Sequence, residues 1–174
     1  MFQIVNPQNK EKTHLDLLSD ETRSAIDGWL KKYPREQRRS AVLGALHAVQ
    51  DQNGGWVSAE LMAAVSEYID IPLVWVREAA EFYSMFHTQP VGRHKISICT
   101  NISCMLRGAD QVVKYAENKL GIKLGETTED GRITLVKEEE CVAACTGAPM
   151  MIVDGHYYEN LTEQRIDEIM GGLD

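Results

Sequence analysis

Cysteine is scarce and one-sided in this chain: there are 4 among 174 residues, and none precedes Cys99. The first half therefore carries no thiol ligand and no redox thiol. No Cys-x-x-Cys occurs anywhere, which argues against a dithiol oxidoreductase. Long apolar runs are missing as well; the longest are short pieces at 61–65 and 150–153, far from the roughly 20 residues that cross a bilayer. Positive charge is in deficit, with 18 Lys and Arg against 26 Asp and Glu for a net charge of -8. That sign argues against nucleic acid as a partner, because phosphate neutralisation needs a basic surface. No glycine-rich phosphate-cradling motif appears, and Gly54-Gly55 and Gly171-Gly172 read as helix stops, so no nucleotide is expected to bind this chain. The opening MFQIVNPQNKEKTH lacks both the basic-then-apolar order of a signal peptide and the Arg- and Ser-rich character of a transit peptide. The expected location is the cytosol, or an organelle as a mature form.

What is present is ordinary globular composition, 44% hydrophobic and 25% charged. A chain of this size buries roughly 70% of its unfolded surface. It needs no metal merely to hold a core, so a metal here has a task. Up to about residue 88 the pattern is helical. Residues 17–33 space Ile26, Leu30 and Tyr33 on one face behind a Ser19 N-cap, and Pro34 ends the run. Residues 35–52 stripe Val42, Ala45, Leu46 and Val49. Ser58 caps a third helix through Leu61, Val65 and Tyr68, and Pro72 opens a fourth to about Phe86.

From Gln89-Pro90-Val91-Gly92 onward strands alternate with helices, which sets a helical domain at 1–88 and a second domain at 89–174. Strands are expected at 95–99 and 133–136, a helix at 108–120, and a hairpin of 150–153 with 156–159 around Asp154-Gly155. A last helix is capped by Thr162 and stapled by Leu161 and Ile166. The expected class is α+β, a helical bundle followed by a thioredoxin-like α/β domain. Pro149, just ahead of a strand, stands where such folds often keep a cis proline; a plain loop proline reads equally well.

The cysteines form two close pairs, Cys99 with Cys104 and Cys141 with Cys145, each in a loop after a strand. Cytosolic thiols are poor disulfide candidates, so metal binding leads. Converging four thiolates from two loops suits a 2Fe-2S cluster, two sulfurs per iron. A structural zinc site remains the alternative, although it favours two-residue spacing within each pair, and neither pair has it.

The stretches EFYSMF at 81–86, PVGRH at 90–94, CTNISCMLRG at 99–108 and ECVAACTGAPMM at 140–151 resemble the small thioredoxin-like 2Fe-2S subunit of the NADH:quinone oxidoreductases, respiratory complex I. The resemblance covers nearly the whole chain. It implies one cluster held by Cys99, Cys104, Cys141 and Cys145, in an electron-transfer subunit docked on the larger flavoprotein subunit that binds NADH and FMN. It further implies a place near the flavin, off the main line of clusters leading to quinone, and a bacterial cytoplasmic location peripheral to the inner membrane. The same module serves NAD-linked hydrogenases and formate dehydrogenases. A zinc-stabilised adaptor is the alternative from another class. One departure is visible: many relatives carry Leu-Gly after the first cysteine of the second pair, where this chain has Val142-Ala143.

Histidines 14, 47, 87, 94 and 156 lack ligand spacing and are expected to be packing or surface residues. Trp29, Trp56, Trp75 and the Phe82, Tyr83, Phe86 group read as helix packing, with some of them facing a partner subunit as the lesser alternative. Glu138-Glu139-Glu140 leads straight into Cys141. It is either a solvated loop or a local field that keeps a cluster at low potential. In the second case Glu140→Gln raises the potential by on the order of 20 to 70 mV, for a carboxylate about 10 Å away.

Overall fold

A computed structural model of the chain describes residues 13–137, 141 and 143–174. They form two compact units that part between Thr88 and Gln89.

The first unit is helical: α1 (Asp20–Leu30), α2 (Val42–Gln52), α3 (Ala59–Ile69) and α4 (Leu73–Phe82). Ser19 caps α1 by accepting from the Thr22 N–H at 3.1 Å, and Ser58 caps α3 by accepting from the Leu61 N–H at 3.2 Å. Each such cap is worth about 1 kcal/mol. Ile26, Leu46, Val49, Val57, Val65, Ile69 and Val76 are fully buried, and each stabilises the unit by roughly 1.5–3 kcal/mol. Trp29 lies flat on Gly44, where any β-carbon would overlap the indole. Arg39 sits over the Trp75 ring at 4.6 Å.

Three helix boundaries differ from the sequence expectation. The first helix starts at Asp20, because the Ser19 cap fixes its first turn and Leu15–Leu17 form a separate 3-10 turn. Residues 35–52 do not make one helix: Arg35–Ala41 is 3-10 in character with Gln37 off helical geometry at φ -111 and ψ 30. That stretch offers no apolar face before Ala41, and a short helix without a buried face is marginal. Helix α4 stops at Phe82, not Phe86. Buried Gln50 donates to the Met85 carbonyl at 3.1 Å and accepts from the His87 N–H at 2.9 Å. Satisfying that amide takes residues 85–87 off the helix.

The second unit runs β1 (His94–Ile98), α5 (Ile102–Leu106), α6 (Ala109–Leu120), β2 (Ile133–Leu135), β3 (Met151–Val153), β4 (His156–Tyr158) and α7 (Glu163–Gly171). The sheet order is β2-β1-β3-β4. Strands β1 and β2 are parallel, with His94 opposite Ile133, and the other pairings are antiparallel. Val112 and Ala116 of α6 and Ile166 and Met170 of α7 close a core over Ile96, Ile98, Ile133, Leu135, Met151 and Val153. Asp154 and Gly155 take φ of 49 and 83, the positive angles of a primed hairpin turn. Thr162 caps α7 by accepting from the Arg165 N–H at 3.2 Å. The Ala148–Pro149 peptide is cis. Among the described residues no helix is long and apolar enough to cross a membrane.

Candidate metal centre

Strand β1 ends at Ile98, so Cys99 is the first residue past the sheet. Its N–H donates to the Met150 carbonyl at 3.1 Å, which anchors it against the segment entering β3. Cys104 stands ahead of α6, as the 108–120 helix expected from the sequence implies, and lies inside a further five-residue helix, α5. That helical turn carries Cys104 back into one buried cluster with Cys99. Both are buried, with Ala109, Ala148 and Met150 around them. Burial above all, and then the neighbouring Cys99 thiol, pushes the Cys104 thiol up to about 11, while the Met150 backbone works the other way.

Because β1 and β2 run parallel, the loops that follow them leave the same end of the sheet. The loop after β2 carries Cys141, and Cys145 opens the 3-10 turn Cys145–Gly147. These two sulfurs are exposed and lie 4.0 Å apart. Two sulfurs on one tetrahedral metal, with bonds of about 2.3 Å, stand roughly 3.8 Å apart, so this pair is spaced for a single metal ion. Cys145 is also near enough to act electrostatically on Cys104.

Among the described residues no three His, Cys, Asp or Glu side chains converge on one point. The arrangement is two pairs. Closed zinc sites gather four ligands on one centre, whereas a 2Fe-2S cluster takes two thiolates on each of two irons. The donor set fits the second.

Three of the histidines are engaged elsewhere. His14 pairs with Glu67, His94 with Asp154 at 2.7 Å, and His47 lies against the Phe86 ring. Glu138, Glu139, Glu140 and Val142 lie outside the described residues, and with them the expectation for the carboxylate run.

Sequence reasoning missed three features here. One is α5 itself, too short for a periodic signal. Another is the backbone of Ala143: the sequence marks this position as a departure, but not its left-handed φ of 60, which carries roughly 1–2 kcal/mol of strain. The third is Glu159, whose side chain lies on Gly147; Gly147 in the run Cys145-Thr146-Gly147-Ala148 was the only available hint.

The difference in burial between the pairs has a measurable result. In the metal-free chain iodoacetamide modifies Cys141 and Cys145 first, and Cys99 and Cys104 lag by at least about tenfold, since both are buried away from the reagent. Timed quenching with peptide mass spectrometry reads the order, and equal rates at all four would contradict it.

Residues 26–174 match the family of the Thioredoxin-like [2Fe-2S] ferredoxin. An NADH-quinone oxidoreductase subunit of Rickettsia felis is 43% identical over 141 residues, covering 81% of this chain and 84% of that protein. The mitochondrial NADH dehydrogenase [ubiquinone] flavoprotein 2 of Dictyostelium discoideum is 40% identical over 159 residues, 91% of this chain and 64% of that one. Among solved structures, an NAD+-reducing [NiFe]-hydrogenase in its air-oxidized state aligns with a TM-score of 0.64 at 22% identity, over 76% of this chain. The chain spans 22% of that longer polypeptide, and the likeness bears on the fold. A match over most of the chain, a mixed four-stranded sheet and two cysteine pairs at one end of it agree: the chain belongs to the thioredoxin-like [2Fe-2S] ferredoxin family.

Proposed function

We propose that this chain is an electron-transfer subunit of an NADH:quinone oxidoreductase, holding one 2Fe-2S cluster on Cys99, Cys104, Cys141 and Cys145 and docked on the flavoprotein subunit that binds NADH and FMN. The observation that carries it is the pairing of thiols, one pair buried and one exposed at 4.0 Å, on two loops leaving the same end of a parallel strand pair. A bound cluster supplies one-electron transfer. The chain's part is to hold it and set its surroundings. Cys99, Cys104, Cys141 and Cys145 would hold the cluster as thiolates, so its loading would release their protons. Burial of the first pair excludes water from one side, and exposure of the second leaves the other side open to a partner.

The helical unit has no thiol and serves docking. It exposes Phe82 at 79%, with Val74 and Met85 also uncovered, apolar surface that suits a protein partner. The expected place is the cytoplasmic face of a bacterial inner membrane, peripheral through the complex. The same architecture in an NAD+-reducing hydrogenase favours a second reading, a diaphorase subunit of a hydrogenase or formate dehydrogenase. Sequence identity of 43% against 22% favours the first.

The test is purification of the chain with its native partners in mild detergent. It should be red-brown with about two irons and two labile sulfides per chain, and should bring down a flavoprotein and membrane proton-pumping subunits. A nickel-iron or molybdenum partner would select the second reading. Stoichiometric zinc without labile sulfide would refute both.

A further inference from the structure

We propose that Glu159 is a charge-setting residue of the metal centre: its carboxylate, seated on Gly147 beside the exposed cysteine pair, biases the site toward its oxidised state. The proposal rests on the cluster assignment above.

Glu159 follows β4, and the chain there is tied onto the cysteine loop by two backbone bonds. The Asn160 N–H donates to the Gly147 carbonyl at 2.6 Å and the Leu161 N–H to the Pro149 carbonyl at 3.0 Å. Asn160 adopts φ 51, the left-handed turn that asparagine tolerates best. Just ahead of these ties the Glu159 side chain lies across Gly147. A β-carbon built on Gly147 would overlap the Cβ, Cδ and Oε2 of Glu159, so only glycine leaves the carboxylate its seat. No cation among the described residues forms an ion pair with Glu159. Its charge therefore stands unneutralised.

Gly147 is two residues from Cys145, at most about 7 Å along the chain. The carboxylate in contact with it stands within roughly 10 Å of that ligand. Reduction places one further electron at the site while the four thiolates and Glu159 keep their charges, so the added electron meets a like charge. At about 10 Å, Coulomb's law with an effective dielectric between about 80 and about 20 changes the reduced-to-oxidised ratio about two- to fifteenfold. Glu159 is solvent-exposed, so salt moves the effect to the lower end of that range.

Glu159→Gln in the full chain keeps the shape and removes the charge. Iron and sulfide content are measured first, then the midpoint potential by redox titration with electron paramagnetic resonance, at low and high salt. The expected result is full cluster content and an upward shift, seen as a two- to fifteenfold rise in the reduced-to-oxidised ratio at the wild-type midpoint, smaller at high salt. Gly147→Ala, which unseats the carboxylate, shifts the potential the same way, and the double variant shifts no further than Glu159→Gln alone. An unchanged midpoint with the cluster intact overturns the proposal, as does loss of cluster in Glu159→Gln, which would make the residue a brace. Additive shifts would refute the seat on Gly147. A wild-type chain without iron or sulfide would instead overturn the cluster assignment.

Discussion

Alanine at any one of Cys99, Cys104, Cys141 or Cys145 is expected to abolish most of the red-brown colour and labile sulfide while leaving the fold in place. Each iron has only two protein ligands in the proposed arrangement, so one truncation halves the protein's hold on that iron and opens it to solvent. The main sheet core contains no cysteine: Ile96, Ile98, Ile133, Leu135, Met151 and Val153 pack on α6 and α7 without them. Far-ultraviolet circular dichroism should therefore change little, while visible absorbance, iron and sulfide fall several-fold. Alanine at 99 or 104 adds a small local cost, since both thiols fill a pocket with Ala109, Ala148 and Met150; removing one buried sulfur costs on the order of 1 kcal/mol. Serine is the weaker probe, because its oxygen still binds iron. Full colour and sulfide in any one alanine variant would remove that residue from the ligand set.

Removal of residues 1–88 should separate two roles outright. The remaining unit keeps its sheet, its helices and all four cysteines, and each unit has a core of its own. A shortened chain is expected to load a cluster at near full stoichiometry and to lose co-purification with the flavoprotein entirely. Metal analysis of the fragment and a pull-down from cells that supply the other subunits measure the two halves of this expectation. A fragment that still assembles would place the docking surface in the second unit, around the exposed Ile102 and Leu106 of α5.

Much of this molecule is legible without coordinates, for reasons that differ between elements. Ser19, Ser58 and Thr162 mark helix starts because a hydroxyl at that position satisfies an otherwise orphan N–H, a purely local arrangement. Asp154-Gly155 marks its turn equally locally, through backbone angles that few other residue pairs adopt. The ends of helices were less legible. The stop at Phe82 depends on the Gln50 amide reaching residues 85–87 from another helix, and no local pattern encodes that reach. At the metal centre the four cysteines announce themselves by pairing. Their inequality, one pair buried and one exposed, comes from α5 folding Cys104 beneath the surface, which spacing alone does not express. Glu159 stayed hidden for a similar reason, since its neighbour Gly147 is close in space and distant in sequence.

The parallel register of β1 and β2 bears on how such sites diversify. Parallel neighbours require a long crossover, here carried by α5 and α6 between Ile98 and Ile133. Val112 and Ala116 hold α6 in the core and residues 125–128 bond along β2 at Ile133 and Leu135, whereas the turns at Gly121 and Gly131 face open space. Insertions and deletions can therefore accumulate there over evolutionary time without disturbing the thiols. The interval from Cys104 to Cys141 records the length of a detour, whereas in the proposed arrangement the steps from Cys99 to Cys104 and from Cys141 to Cys145 are set by coordination. Distant members of this lineage should be sought by holding the two short steps constant and letting the long one drift.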